Sequence, residues 1–411
     1  MIQYTDKSLC KIRTITTFLS LSKVQSSWKH RIADAANFCQ QLTAQFKQSG
    51  YQVQSIRIVT NPFGEYLNTQ SVQTASADLA LLNSLVQTSN QCGTRIRFAI
   101  GEAKNAHEIS LLPELIQKFS DLCNACINIP IDENAILDNH LIEHAVAAVQ
   151  KTSQITANGQ GNFNLTVNFN CQPQIPYFPA SYHLRELGDR YVIGLETPDL
   201  LVNVLQALQQ QPHISNHQAR MQRCFQVMHN ALKHHTQQIS NIIDASDINS
   251  TFYFAGIDSS AAPSKDCASM VDIYRLLGVA YFGAPGTTEA SALLTRVFKS
   301  IDNVPLIGFS GLMLAVTEDT GLALGTINQQ FDIRTLLTNS AVCGIGLDTV
   351  PIPGDTSAED IAALMRDTGT MAYRLNKPLT VRLFPVPGLK AGDMTQFSGD
   401  DLCNCAVMAV S

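Results

Sequence analysis

The sequence predicts an α/β protein built on a mainly parallel sheet, and three observations predict it. β-branched stretches alternate with amphipathic ones through four successive strand-helix units between residues 10 and 151. The same rhythm resumes after residue 251. With 45% hydrophobic and only 15% charged residues, the chain has ample material for a buried core.

Residues 10–20 (CKIRTITTFLS) read as the first strand, because β-branched side chains pack well on a pleated surface. Residues 24–49 carry apolar positions at helical spacing and stop at Gly50. Strand 51–60 (YQVQSIRIVT), helix 71–90, strand 94–100 (TRIRFAI), helix 107–121, strand 125–129 and helix 132–151 follow. The middle is less regular, with strands near 162–170 and 190–195 and a helix after Thr197-Pro198-Asp199. A long, largely polar helix then runs from 215 to 243 and carries His217, His229, His234 and His235. Next come the strand TFYFAGI from 251, helices near 268–280 and 287–302, and an apolar segment 305–316. Helices near 319–328 and 332–340, helix 357–375 and strand 379–384 complete the order. Eight or more strands with interleaved helices predict closure into a barrel or, alternatively, a wide doubly wound sheet. No low-complexity linker divides the chain, so 1–411 reads as one compact domain with looser halves 1–245 and 246–411.

Composition also excludes partners. A net charge of −6 provides no electrostatic footprint for nucleic acid. The longest apolar stretch, Val304 to Val316, contains Pro305, Gly308 and Gly311 and falls short of the roughly 20 residues that span a bilayer, so no membrane partner is expected. The start, MIQYTDKSLCKIRT, lacks the apolar core of an export signal. Eleven cysteines, an odd number and mostly scattered, suggest free thiols in a reducing cytoplasmic setting.

All ten histidines lie between His30 and His235. Chemistry in the remainder therefore falls to carboxylates, lysine, thiols or hydroxyls, with anions held by backbone amides and guanidinium groups. Asp258 and Ser259 close a strand, where ligands sit in parallel α/β folds, although an ordinary turn has the same residues. Gly286 and Thr287, in FGAPGTT, can present amides to a phosphate or carboxylate, or simply cap a helix through Thr287 or Thr288. Glu318-Asp319 is a carboxylate pair after a buried run: in a cleft one becomes a proton donor, and at a helix start both serve the macrodipole. Cys343, between Val342 and Gly344, is a candidate nucleophile or a small core hydrophobe, and Asp348 beside it a candidate ligand for substrate or metal.

Arg382 sits on an apolar strand, where burial demands a carboxylate partner or an anionic ligand. Arg13 and Arg57 pose the same question, with structural ion pairs the favoured answer. His183 lies in a loop after FPASY and is the imidazole best placed to reach Cys343. His140 and His144 flank Glu143 at helical spacing, as in an inverted zinc-peptidase motif, but an ordinary helix face explains them better. Cys123 and Cys126 lack a matching second pair and read as ordinary thiols. Ser357 and Asp360 have capping-box spacing.

The blocks GIDSSAAP, FGAPGTTEASA, GFSGLMLAVTED, SAVCGIGLDTVPIPGDTS and KPLTVRLFPVPGLKAGDMTQF occur in this order. With KIRTITTF, QSIRIVTNPFGEY and FPASYH in the first half, they closely resemble domain-of-unknown-function family 711, also called uncharacterised protein family 0210. The resemblance implies a closed α/β barrel of about ten strands around an inner loop, of the pyruvate formate-lyase type. Glycyl radical enzymes carry an Arg-Val-x-Gly-Tyr motif near the C-terminus, and none occurs here, so radical chemistry is not carried over. The family brings no activity with it, and its bacterial members resemble proteins encoded beside small ACT-domain regulators.

Two functions are expected from these residues. One is an enzyme, a hydrolase or lyase acting on a small anionic metabolite, with Gly286, Thr287 and Arg382 holding the anion. There Asp258, Glu318 and Asp348 act as acid-base groups or ligands of a divalent metal, Cys343 as nucleophile, and Ser259 and His183 line the site. The other is a non-catalytic ligand-binding regulator working with an ACT-domain partner. A homo-oligomer is compatible with both.

Overall fold

The computed structural model describes residues 4–90, 95–211 and 216–410. Its strands are β1 (Lys11–Leu19), β2 (Ile56–Thr60), β3 (Ile96–Glu102), β4 (Asn124–Ile129), β5 (Leu165–Phe169), β6 (Arg190–Glu196), β7 (Tyr253–Asp258), β8 (Gly346–Pro353) and β9 (Leu379–Val386). The helices are α1 (Trp28–Gln48), α2 (Val72–Ser89), α3 (Ala106–Lys118), α4 (Asn139–Ile155), α5 (Pro198–Gln209), α6 (His217–Asp244), α7 (Met270–Leu276), α8 (Thr287–Lys299), α9 (Thr320–Ile327), α10 (Ile333–Ser340) and α11 (Ala358–Arg374).

Local chemistry sets the boundaries. Ser71 and Thr74 close a reciprocal capping box at the start of α2, and Ser357 accepts from the Asp360 amide at the start of α11, as its spacing predicts. Helix α4 begins later than the expected 132. Asp132 turns its carboxylate onto the amides of Asn134 and Ile136, and Asp138 becomes the N-cap. Helix α8 is capped by Gly286 at φ 97°, not by Thr287 or Thr288. Strand β8 was not expected, because Pro351 and Pro353 argue against a central strand. It lies at the end of the sheet, where a missing N–H is tolerated.

The sheet runs β7-β6-β1-β2-β3-β4-β5-β9-β8 and draws strands from both halves of the chain. β1 to β5 are mutually parallel, whereas β6 and β9 join them antiparallel, so β6 to β9 run the other way. The order follows the chain from β1 to β5, and β6 and β7 then join on the other side of β1, so the sheet turns direction beside β1. Nine strands are hydrogen-bonded into the ladder, and among the described residues it does not continue from β7 to β8. Instead the segment 305–316 makes one isolated bridge to each edge, Leu306 to Ile257 and Ala315 to Asp348.

Both sheet faces are buried, with opposite character. Ile56 and Ile58 of β2, Leu165 and Val167 of β5, and Leu379, Val381 and Leu383 of β9 join the apolar core under the helices. The alternating positions carry Arg57, Thr166, Asn168, Thr380 and Arg382, all buried on the other side. The stretch after β9 forms no further strand or helix and folds back through a bridge between Met394 and Ala406. Among the described residues, no helix is long and apolar enough to cross a membrane.

Candidate functional site

Two loops cover the polar face. The first, 171–183, is tied to the strands through its carbonyls. Pro176 O accepts from Thr16 Oγ1 (3.2 Å) and Arg57 Nη1 (3.0 Å), and Ala180 O accepts from Asn168 Nδ2 (3.1 Å). The second, 308–313, is held by Asp258, whose carboxylate accepts from the amides of Phe309 (2.8 Å) and Ser310 (3.0 Å). Gly308 sits at φ 67° against that carboxylate, and a Cβ there would lie 2.1 Å from Asp258 Oδ2. Gly311 and Gly344 cross backbone to backbone, closer than any side chain permits. Ile175, Tyr177, Ala180, Phe309, Met313 and Ile345 pack the loops together.

Between loops and sheet lies a cavity of about 50 Å³, room for a few water-sized bodies. Charge dominates its lining. Arg382, 5% exposed, bridges two carboxylates: its Nε donates to Asp348 Oδ1 (2.6 Å) and its Nη2 to Glu318 Oε1 (2.5 Å). Its Nη1 reaches Phe163 O (3.3 Å), and the guanidinium lies 5.0 Å from the Phe163 ring centre. Burial raises the Glu318 pKa above its ordinary value, with Arg382 opposing and Asp348 adding repulsion. Asp348 Oδ2 is buried without a hydrogen-bond partner.

Arg57 differs from Arg382. It is 6% exposed, gives one hydrogen bond to Pro176 O and stacks on Phe178 at 4.9 Å, and its Nε has no partner. Among the described residues no carboxylate forms an ion pair with it. Burial, then the repulsion of Arg13 and Arg97, pushes its pKa down. Arg13 has the expected ion pair, with Glu196 Oε2 at 3.5 Å, and for Arg57 that expectation is corrected.

The structure brings together Glu318, Asp348 and Arg382, and separates the other candidates. Adjacent acids split: Glu318 faces the cavity, whereas Asp319 caps α9 through the amides of Gly321 and Leu322. Asp258 is pushed up to about 6 by burial, but its oxygens are occupied by loop amides and it is not in the cavity lining. Ser259 donates to Phe298 O (2.8 Å). Cys343 lies fully buried in the main apolar core, with the Gly346 amide 3.4 Å from its Sγ. Gly286 and Thr287 line a separate recess of about 600 Å³ at the start of α8, where Thr287 Oγ1 closes a local turn with Ala284 O and the Gly283 amide. His183 is buried against Phe18 with both ring nitrogens unbonded, and burial pushes its pKa down to about 4. Neither it nor Cys343 lines the cavity.

Among the described residues no three His, Cys, Asp or Glu side chains group as metal ligands. His140 and His144 stack edge to face, 4.6 Å between ring centres, on the outer side of α4. Sequence reasoning missed Arg57 as a site residue. Its signal was an arginine at an inward position of a short strand otherwise made of Ile, Val and Thr, the pattern that singled out Arg382.

A UPF0210 protein of Desulforudis audaxviator is 40% identical over 150 residues, 36% of this chain and 33% of its own length. A second, from Pyrobaculum aerophilum, is 30% identical over 245 residues, 57% of this chain and 51% of its own. A third, from a Thermoanaerobacter species, is 27% identical over 299 residues, 71% and 64% of the two chains. The chain thus spans between about a third and two thirds of these relatives' lengths. Residues 1–398 match the family described as Uncharacterised ACR (DUF711), and by that match over nearly its whole length the chain belongs to that family.

Proposed function

We propose that the chain is an enzyme that binds a small anionic metabolite in the cavity beside Arg57 and moves a proton on it. One observation carries this reading: Arg57 is buried, has no carboxylate partner among the described residues, and keeps an unbonded Nε. An uncompensated buried guanidinium costs several kcal/mol, roughly, and an anionic ligand offsets that cost. Glu318, with its raised pKa, is the group that gives or takes the proton. Asp348 and Arg382 hold it in place. Proton transfer beside a bound anion suits a lyase or hydrolase and needs no radical. Cys343 and His183 take no part in it.

The test is a thermal-shift panel of small carboxylates and inorganic phosphate on the wild type and Arg57→Met. Stabilisation of the wild type alone is expected, and no shift with any anion would sink the reading. Deuterium incorporation into the bound metabolite in heavy water, lost in Glu318→Gln, then marks proton transfer.

A second reading, a ligand-binding regulator with an ACT-domain partner or in a homo-oligomer, is favoured by the satisfied Arg382 triad, which leaves little free acid-base capacity. It predicts binding without deuterium exchange.

The sheet is read as a barrel of the pyruvate formate-lyase type. Support comes from 305–316, where the Ile307 amide bonds Ile257 O (3.1 Å) and the Val316 amide bonds Asp348 O (3.1 Å), one at each edge. Slow hydrogen exchange at both amides fits closure, and fast exchange overturns it. The cysteines among the described residues are all free thiols, which supports a reducing, cytoplasmic setting.

A further inference from the structure

We infer that the site takes a short dianion, one anionic group on Arg57 in the cavity and the other on Arg97 at its rim. The inference rests on the reading of Arg57 as an anion site and names the class of ligand.

Arg57 and Arg97 are register partners on β2 and β3. Neighbouring strands stand about 4.8 Å apart, so the two arginines start from directly opposed backbone positions, a pairing that like charges disfavour. After burial and Arg13, repulsion from Arg97 is one of the causes that push the Arg57 pKa down. Beyond Arg97 lies an outer recess of about 390 Å³. Phe163 links the two spaces: it is among the residues that line the recess, and its carbonyl and ring face hold Arg382 of the inner cavity. The two arginines therefore serve adjoining spaces of one site.

The carboxylate that answers Arg97 is Asp401, 2.5 Å from its Nη2. This pair is not sealed, the two side chains being 23% and 32% exposed. Asp401 belongs to the stretch after β9, which has neither strand nor helix and is fixed by separate bonds such as Cys403 N to Thr317 O (2.6 Å). Against burial, which works to raise it, Arg97 first and then Arg13 and Arg57 hold Asp401 below the usual carboxylate range. One internal carboxylate thus already senses all three guanidinium groups. A second anionic group on the ligand meets the same field at the same place, and competes with Asp401 for Arg97. The spacing of adjacent strands suits a chain of about three to five carbons with a charge at each end.

The test compares malonate, succinate and glutarate with acetate, propionate and butyrate by calorimetry, on the wild type, Arg97→Met and Asp401→Asn. A dicarboxylate is expected to bind at least about tenfold more tightly than its monocarboxylate counterpart. Arg97→Met is expected to erase that preference and keep monoanion binding. Asp401→Asn, which removes the competitor for Arg97, is expected to tighten the dianion by a larger factor than the monoanion, which gains only through the weaker field of Asp401 at Arg57. Equal affinity for both classes in the wild type, or a preference untouched by both variants, overturns the dianion inference while Arg57 stands as an anion site. Absence of binding by every acid in wild type and Asp401→Asn overturns both.

Discussion

Arg57 and Arg97 are register partners on adjacent parallel strands, yet the carboxylate of Asp401 reaches only Arg97. One of two neighbouring cations is answered from within the chain, and the other is buried with a carbonyl and an aromatic ring for company. This asymmetry sets opposite expectations for the two side chains, which stability measurements can read.

Arg57→Met removes an uncompensated buried charge and preserves most of the volume. The variant is expected to be more stable than the wild type by about 1–3 kcal/mol in urea unfolding without ligand. A loss of similar size would show that Arg57 is structural.

Arg382→Met leaves Glu318 and Asp348 facing each other without their shared cation. A destabilisation of about 3–5 kcal/mol is expected, and the double variant with Glu318→Gln should recover part of it. Additive losses would mean that the bridge carries little coupling.

His183 makes the fold acid-sensitive. Its pKa falls from the ordinary 6.5 to about 4 on folding, because burial disfavours the charged ring. The unfolded chain therefore binds the proton first, so this stability is present above pH 6.5 and is lost as pH drops toward about 4. His183→Leu should flatten part of that acid limb and cost little at neutral pH. His235, pushed down to about 4 by burial as well, keeps the remainder. An unchanged slope in the variant counts against this account.

Cys343 is expected to resist iodoacetamide in the native protein and to react only on unfolding, after the partly exposed Cys267 and Cys403. Peptide mapping reads the order. Fast native labelling of Cys343 would contradict its place in the core.

The halves are expected not to fold alone. Residues 1–245 carry β1 to β6 but lack β7 beside β6 and β9 beside β5, which exposes two long edges. Circular dichroism and gel filtration of that fragment test the single-body reading, and a monomeric, cooperatively unfolding fragment would defeat it.

What could be read from residues alone follows a physical line. Caps and strand alternation are local, so Ser357-Asp360 and the inward place of Arg382 were legible. Strand β8 was hidden because its prolines make sense only at an edge, and being an edge depends on the whole sheet. Glu318 and Asp319 carry the same chemistry one residue apart, and the start of α9 decides which turns inward. Gly286 and Thr287 satisfy each other's neighbourhood within one turn, so residue type gave no clue that they stand apart from the cavity. For Arg57, the decisive fact is a missing partner, and only a folded chain can show that.

The antiparallel junctions of the sheet also set a timetable. Arg97 and Asp401 lie 304 positions apart, and β5 meets β9 across a shorter but still long gap, Val167 pairing with Val381. During synthesis at about 5–20 residues per second, the arginines of β1 to β3 wait roughly 15–60 s for the acids that complete the site. The early strands can pair with one another in that interval, whereas the charges of the proposed anion site are complete only once Asp401 has been made. A ligand of the proposed site would therefore meet its full set of charges only after β9 and Asp401 have joined the arginines of the early strands.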